Sequence, residues 1–258
     1  MIPLLVANWK MHKTRSEALA FVEEVRRLWP RERSLEATIA PPFTALEAVG
    51  HALRNTPLTL AAQNVHWEEE GAHTGEIAAR FLSDLGCRYV IVGHSERRNQ
   101  WGETDEQVNN KVKAILTHGM TPILCLGESL RDRDGGRILE VIGVQLAGGL
   151  RGVAALLAGA GSRLVIAYEP VWAVGTGRVA EPRQVREVHG ALRQWLVDQL
   201  GAPGAAQVRL LYGGSVTPEN VGEMAAEPDV DGALVGGASL DAKQFVMLAQ
   251  RITERRSS

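Results

Sequence analysis

The sequence predicts an α/β fold, a (β/α)8 TIM barrel of eight parallel strands surrounded by helices, and three observations point to it. Eight short apolar runs recur along the 258 residues, ending near 8, 40, 63, 93, 126, 168, 212 and 236. Their mean spacing of roughly 33 residues suits a strand plus a crossover helix. Helical patterns lie between the runs, with no linker-like or low-complexity break. An open doubly wound sheet is the competing arrangement, but it wants GxGxxG after the first strand, where the chain reads ANWKMHK. The expected organisation is therefore one barrel domain over 1–258.

In chain order the first run is LLVAN, followed by SEALAFVEEVRRLW, an amphipathic stretch for which Ser16 is the expected N-cap. ATIAP and TLAAQN are the second and third runs; the loop after the third, NVHWEEEGAHTGE, is long for a strand-to-helix connection. YVIVG is the fourth, and the helix TDEQVNNKVKAILTHG that follows has Gly119 placed to end it. PILCLG and LVIAYE are the fifth and sixth, and PRQVREVHGALRQWLVDQL is the clearest helix after them. RLLYGG and GALVGG complete the set.

Composition excludes several function classes. With 45% hydrophobic and 22% charged residues the chain can bury a sizeable core. A net charge of −2 and a pI near 6.4 leave no electrostatic footprint for nucleic acid or an anionic membrane. Any anionic substrate must be held locally, and the basic cluster RITERR reads as a solvated helix end. Cys87 and Cys125 sit in apolar stretches without CxxC or paired-histidine spacing, so buried reduced thiols are expected, not a disulfide or a metal site. No signal peptide precedes IPLLVA, and no apolar run reaches the roughly 20 residues of a membrane helix, so the cytoplasm is the expected compartment.

In such barrels the chemistry gathers where the strands end, on one face. Strand one ends in Asn8 and Lys10, strand four in His94, Ser95 and Glu96, and strand six in Glu169. Strands seven and eight end in Gly213, Gly214 and Ser215 and in Gly236 and Gly237. Singly, each has an ordinary reading: a solvated acid, a surface lysine, a structural histidine, Ser95 capping a helix, a tight turn. Unrelated surface residues have no reason to converge on one barrel face. Glycine-rich turns let backbone N–H groups approach an anion, phosphate above all.

ANWKM, YVIVGHSERR, AYEPVWAVGTG, YGGSV and VGGASL, in this order and over essentially the whole chain, resemble the triosephosphate isomerase family. That family is itself a standard example of the barrel and of tuned acid–base groups. The resemblance implies interconversion of dihydroxyacetone phosphate and D-glyceraldehyde 3-phosphate, with no cofactor and no metal. It makes Glu169 the base and His94 a neutral electrophile whose pKa is lowered by the helix starting at Ser95. Lys10 supplies positive charge, Asn8 fixes the oxygen atoms, and Ser95 and Glu96 support the site. Gly175, Ser215, Gly236 and Gly237 form the phosphate cradle, and PVWAVGTG, residues 170–177, is the lid. A homodimer is implied through the loop around Thr74, with no nucleic-acid or membrane partner.

Departures from the family pattern are Val174 and GRVA in the lid region, Ala78 and Ala79 after GEI, and NQWGETDE after HSERR. Two rivals differ in class. An aldolase would use Lys10 as a Schiff-base nucleophile, and a phosphoester-binding module should have lost a reacting group.

Overall fold

The computed structural model describes residues 1–29, 34–158, 164–173 and 179–256. Eight strands close a barrel in chain order: β1 (Leu4–Asn8), β2 (Glu36–Ala40), β3 (Leu58–Ala62), β4 (Cys87–Val92), β5 (Thr121–Leu126), β6 (Val165–Tyr168), β7 (Arg209–Tyr212) and β8 (Gly232–Val235). All neighbours are parallel, and the seam runs from Leu4 opposite Gly232 to Ala7 opposite Val235. Alternation explains why the runs look apolar throughout. Leu4 and Val6 point inward with Tyr89, Ile91, Ile123 and Leu211, while Leu5 and Ala7 face the helices, so both sides of each strand are buried. Gly232 is required at the seam: its φ is +140°, and a Cβ there would lie 1.9 Å from the Leu4 carbonyl oxygen. At this same end of the strands, Glu36 accepts from Tyr89 at 2.6 Å and from Arg209 at 2.7 Å, coupling β2, β4 and β7.

Outside the barrel lie α1 (Arg15–Leu28), α2 (Phe43–Ala52), α3 (Ala79–Asp84), α4 (Ser95–Trp101), α5 (Asp105–Thr117), α6 (Leu130–Asp134), α7 (Ile138–Gly149), α8 (Ala154–Ala158), α9 (Pro182–Ala205), α10 (Val221–Ala225) and α11 (Ala242–Arg256). The described residues thus hold more helices than the one per strand expected. The extra ones are the short segments α4, α6 and α8, which fold the connections after β4 and β5.

Ser16 is not the cap of α1. Thr14 is, because Glu17 three residues on returns a bond to the Thr14 backbone and closes a reciprocal capping box that Ser16 cannot make. Gly119 does end α5, at φ +73°, donating to the Leu116 carbonyl. At the Ala78–Ala79 departure α3 starts at Ala79, with no side-chain cap from Ala78. Cys87 and Cys125 are buried free thiols. The long loop after β3 is exposed from residue 68 to 76, and its base is closed by the His66 N–H on the Ile77 carbonyl at 2.8 Å.

Candidate active site

The ends of β1, β4, β6, β7 and β8 surround a cavity of about 330 Å3, lined among others by Asn8, Lys10, His94, Glu169, Ser215 and Gly237. Gly236 lines it too, and a Cβ there would sit 3.3 Å from Lys10 Cε.

Glu169 follows β6 directly. Its N–H donates to the Leu126 carbonyl at 2.8 Å, and Gly213 N–H donates to the Tyr168 carbonyl, so both neighbouring strands hold the backbone that bears it. The side chain is only 2% exposed. Oε1 lies 3.0 Å from His94 Nε2, and Oε2 accepts the Ser95 N–H at 3.0 Å. Burial opposes the charged carboxylate, but His94, the Ser95 N–H and Lys10 together outweigh it and hold its pKa below the ordinary value.

His94, not Ser95, caps α4. Its Nδ1 accepts the Glu96 N–H at 3.2 Å, and the preceding Gly93 takes φ +67° to turn the chain. Ser95 is the first helical residue, which frees its N–H to meet Glu169. With Nδ1 an acceptor, the hydrogen belongs on Nε2, facing Glu169. Burial pulls the His94 pKa down, yet the adjacent Glu169 carboxylate more than offsets this and raises it. The expected lowering is therefore absent while the carboxylate stays in contact.

Lys10 adopts φ +50°, unusual for a side-chain-bearing residue. Three bonds hold it: N–H to Asn8 Oδ1 at 3.1 Å, carbonyl from Gln63 Nε2 at 2.9 Å, and Nζ to Glu96 Oε1 at 2.6 Å. The turn after β7 is tied by Asn220, whose Nδ2 donates to the Ser215 carbonyl at 2.9 Å. Gly175, expected in the phosphate cradle, and Val174 of the lid lie outside the described residues.

The structure thus gathers Asn8, Lys10, His94, Glu169, Ser215, Gly236 and Gly237 on one cavity, with Ser95 and Glu96 bonded to its wall. Sequence reasoning missed Glu103 and Glu128. Glu103 accepts the Gly93 N–H at 3.1 Å and is paired with Arg97 and Lys111. Glu128 is fully buried and accepts from Tyr168 at 3.1 Å, Trp172 at 2.8 Å and Arg133 at 3.1 Å. Glu128 had a usable signal: LCLGE, like IAYE, puts an acid where an apolar run stops.

Among the described residues no group of three or more His, Cys, Asp or Glu is placed to hold a metal, and no helix is long and apolar enough to cross a membrane. A buried carboxylate and an imidazole in contact, beside a cation, can together move a proton and polarise an oxygen. Fold and site define a (β/α)8-barrel enzyme equipped for acid–base chemistry on a small molecule. A triosephosphate isomerase profile matches residues 3–252. Triosephosphate isomerase of Pelobacter propionicus is 47% identical, over 94% of this chain and 96% of that protein. The Moorella thermoacetica protein of the same name is 48% identical, over 95% and 97%. The solved structure of triosephosphate isomerase from Bartonella henselae superposes with a TM-score of 0.87 at 36% identity, covering 97% of this chain and 99% of that one. The chain belongs to the triosephosphate isomerase family.

Proposed function

We propose that this isomerase interconverts dihydroxyacetone phosphate and D-glyceraldehyde 3-phosphate through an enediolate, without a cofactor, using Glu169 as base and His94 as electrophile. The observation that carries this reading is the buried Glu169 carboxylate, 3.0 Å from His94 Nε2, on the same cavity as Lys10. A lowered pKa keeps Glu169 ionised at neutral pH, ready to take a proton from the carbon beside the substrate carbonyl.

As a substrate oxygen enters, it takes the His94 Nε2–H in place of Glu169. The carboxylate turns to carbon, and the largest influence raising the His94 pKa weakens with it. Burial and the Glu96 N–H on Nδ1 then favour a neutral imidazole that donates a hydrogen bond to the developing oxyanion. Lys10 and Asn8 stabilise the same charge, and Ser95 and Glu96 support His94 and Lys10. Backbone N–H groups of Ser215 and Gly237, beside Gly236 and together with Gly175, would receive the phosphate.

The working unit is a homodimer in the cytoplasm, serving glycolysis and gluconeogenesis. Met11 is 95% exposed next to Lys10, and the loop carrying Thr74 projects with its base closed. An apolar side chain and a braced loop of this kind suit burial against a second copy. The test of the chemistry is a coupled isomerisation assay on Glu169→Asp. Withdrawing the carboxylate by about 1 Å should lower kcat on the order of 100-fold. A near-normal kcat would remove Glu169 from the mechanism.

A further inference from the structure

Glu169 depends on the strand next to it, and that dependence leads to a residue about which the reaction itself says nothing. A Cβ on Gly127 would lie 1.7 Å from the Glu169 carbonyl oxygen and 2.7 Å from its carbonyl carbon. Glycine is needed here for space, and the Gly127 backbone therefore forms the surface on which the Glu169 peptide rests. The residues on either side make the same contact by hydrogen bonds. The Leu126 carbonyl receives Glu169 N–H at 2.8 Å, and the Glu128 carbonyl receives Val171 N–H at 3.1 Å. A shift of the stretch 126–128 would carry the carboxylate with it.

Gln145, on α7, holds the middle of that stretch. Its amide takes both polar groups of one residue: Gly127 N–H donates to Oε1 at 2.9 Å, and Nε2 donates to the Gly127 carbonyl at 3.2 Å. A planar amide engaged at two points fixes the position and the tilt of the peptides flanking Gly127, as a single bond would not. The support comes from a helix eighteen residues further along the chain, so it does not move with the strand end. Gln145, Gly127, Glu169 and Val171 also share the wall of a second cavity, of about 210 Å3.

We propose that Gln145 is a positioning residue for the base: by clamping Gly127 it sets where the Glu169 backbone lies, and so where the carboxylate meets the substrate carbon. The inference rests on Glu169 being the base. Gln145→Leu removes both bonds at similar size. It should lower kcat about 10- to 100-fold, since roughly 1 Å of displacement suffices for the larger figure. KM and inhibition by inorganic phosphate should change less than about twofold, because Ser215, Gly236 and Gly237, three of the four residues proposed to receive the phosphate, follow β7 and β8.

Gln145→Glu adds a readout that simple loosening of the fold would not produce. A neutral carboxyl group can accept from the Gly127 N–H and donate to its carbonyl, as the amide does, whereas the ionised form sets an acceptor against that carbonyl. Arg98, Asp132 and Glu169 face the same cavity, so each rate is divided by that of the unaltered enzyme at the same pH. The kcat ratio for Gln145→Glu should rise as the pH falls. This variant also serves if Gln145→Leu fails to fold. A lower melting temperature with unchanged kcat, or a flat ratio across pH, would overturn the proposal. Glu169→Asp is assayed in parallel. If it loses activity while Gln145→Leu does not, only the positioning role falls; if it keeps kcat, the base assignment falls.

Discussion

His189, on α9, is wholly buried, and its Nδ1 lies 2.8 Å from the Asp229 carbonyl, which can only accept. The ring hydrogen is therefore on Nδ1, and Nε2 is buried without a hydrogen-bond partner among the described residues. Burial pushes its pKa down from 6.5 to about 4, against the opposing pull of the Asp229 carbonyl and the Asp231 and Asp229 carboxylates; Arg193, bonded to both acids, pushes the same way as burial. Between pH 6.5 and 4 the unfolded chain binds the proton and the folded one does not, so stability rises with pH across this window. The full contribution is present above 6.5, drains away as the pH falls, and is gone below about 4. The whole interval is worth about 3 kcal/mol, and about 2 kcal/mol of it is lost between pH 7 and pH 5. Against a typical total of roughly 5–15 kcal/mol that is a large share. The assay is urea unfolding at both pH values, at one protein concentration, for the unaltered chain and for His189→Asn. Asn places an N–H donor near Nδ1 but does not titrate. Lost packing lowers the variant equally at both pH values, so it cancels. The unaltered chain should lose about 2 kcal/mol more than the variant on going from pH 7 to pH 5. Equal losses would refute the reasoning.

Gly232→Ala should destabilise the fold by about 3 kcal/mol or more, from a strained φ and a clash with the Leu4 backbone at the barrel seam; urea unfolding checks it, and a loss under about 1 kcal/mol would mean the seam yields freely. Shortening the loop 67–74 should give monomers of low activity, since the lost partner contact would leave Lys10 and Asn8 less well supported. Sedimentation showing an active dimer of the shortened chain would contradict that.

The strands were legible because being buried on both faces leaves a local mark, a short apolar run, that needs no knowledge of partners. LVIAYE, for example, places β6 and its terminal acid together. Helix starts were less legible. Ser16 and Ser95 are good capping residues by type, but Thr14 wins through its exchange with Glu17, and His94 wins because its ring reaches the Glu96 N–H. The polar groups at strand ends could be listed from the sequence, but their pairings could not. Lys10 and Glu96 are 86 residues apart, and Gln63 reaches back 53 residues to the Lys10 carbonyl. Gln145 left no mark at all, since a half-buried glutamine on an apolar helix has the same pattern whether or not it clamps a distant glycine. The raised His94 pKa was not legible for a related reason: its largest raising influence is the Glu169 carboxylate, 75 residues away in the chain.

The seam between β1 and β8 has a bearing on how the chain acquires activity during folding. Lys10 and Asn8 emerge from the first strand, and Gly236 and Gly237 from the last, and they face one another only when those strands are paired. That pairing joins the two most distant parts of the sequence, the slowest kind of contact to form by chain diffusion. A partly folded chain with β2 to β7 in place would already hold Glu169 beside His94 but would have no cation and only part of its anion-binding turns. Regain of turnover during refolding would therefore time the closure of the cylinder itself, later than signals from helix content or from the burial of Trp172 against Glu128.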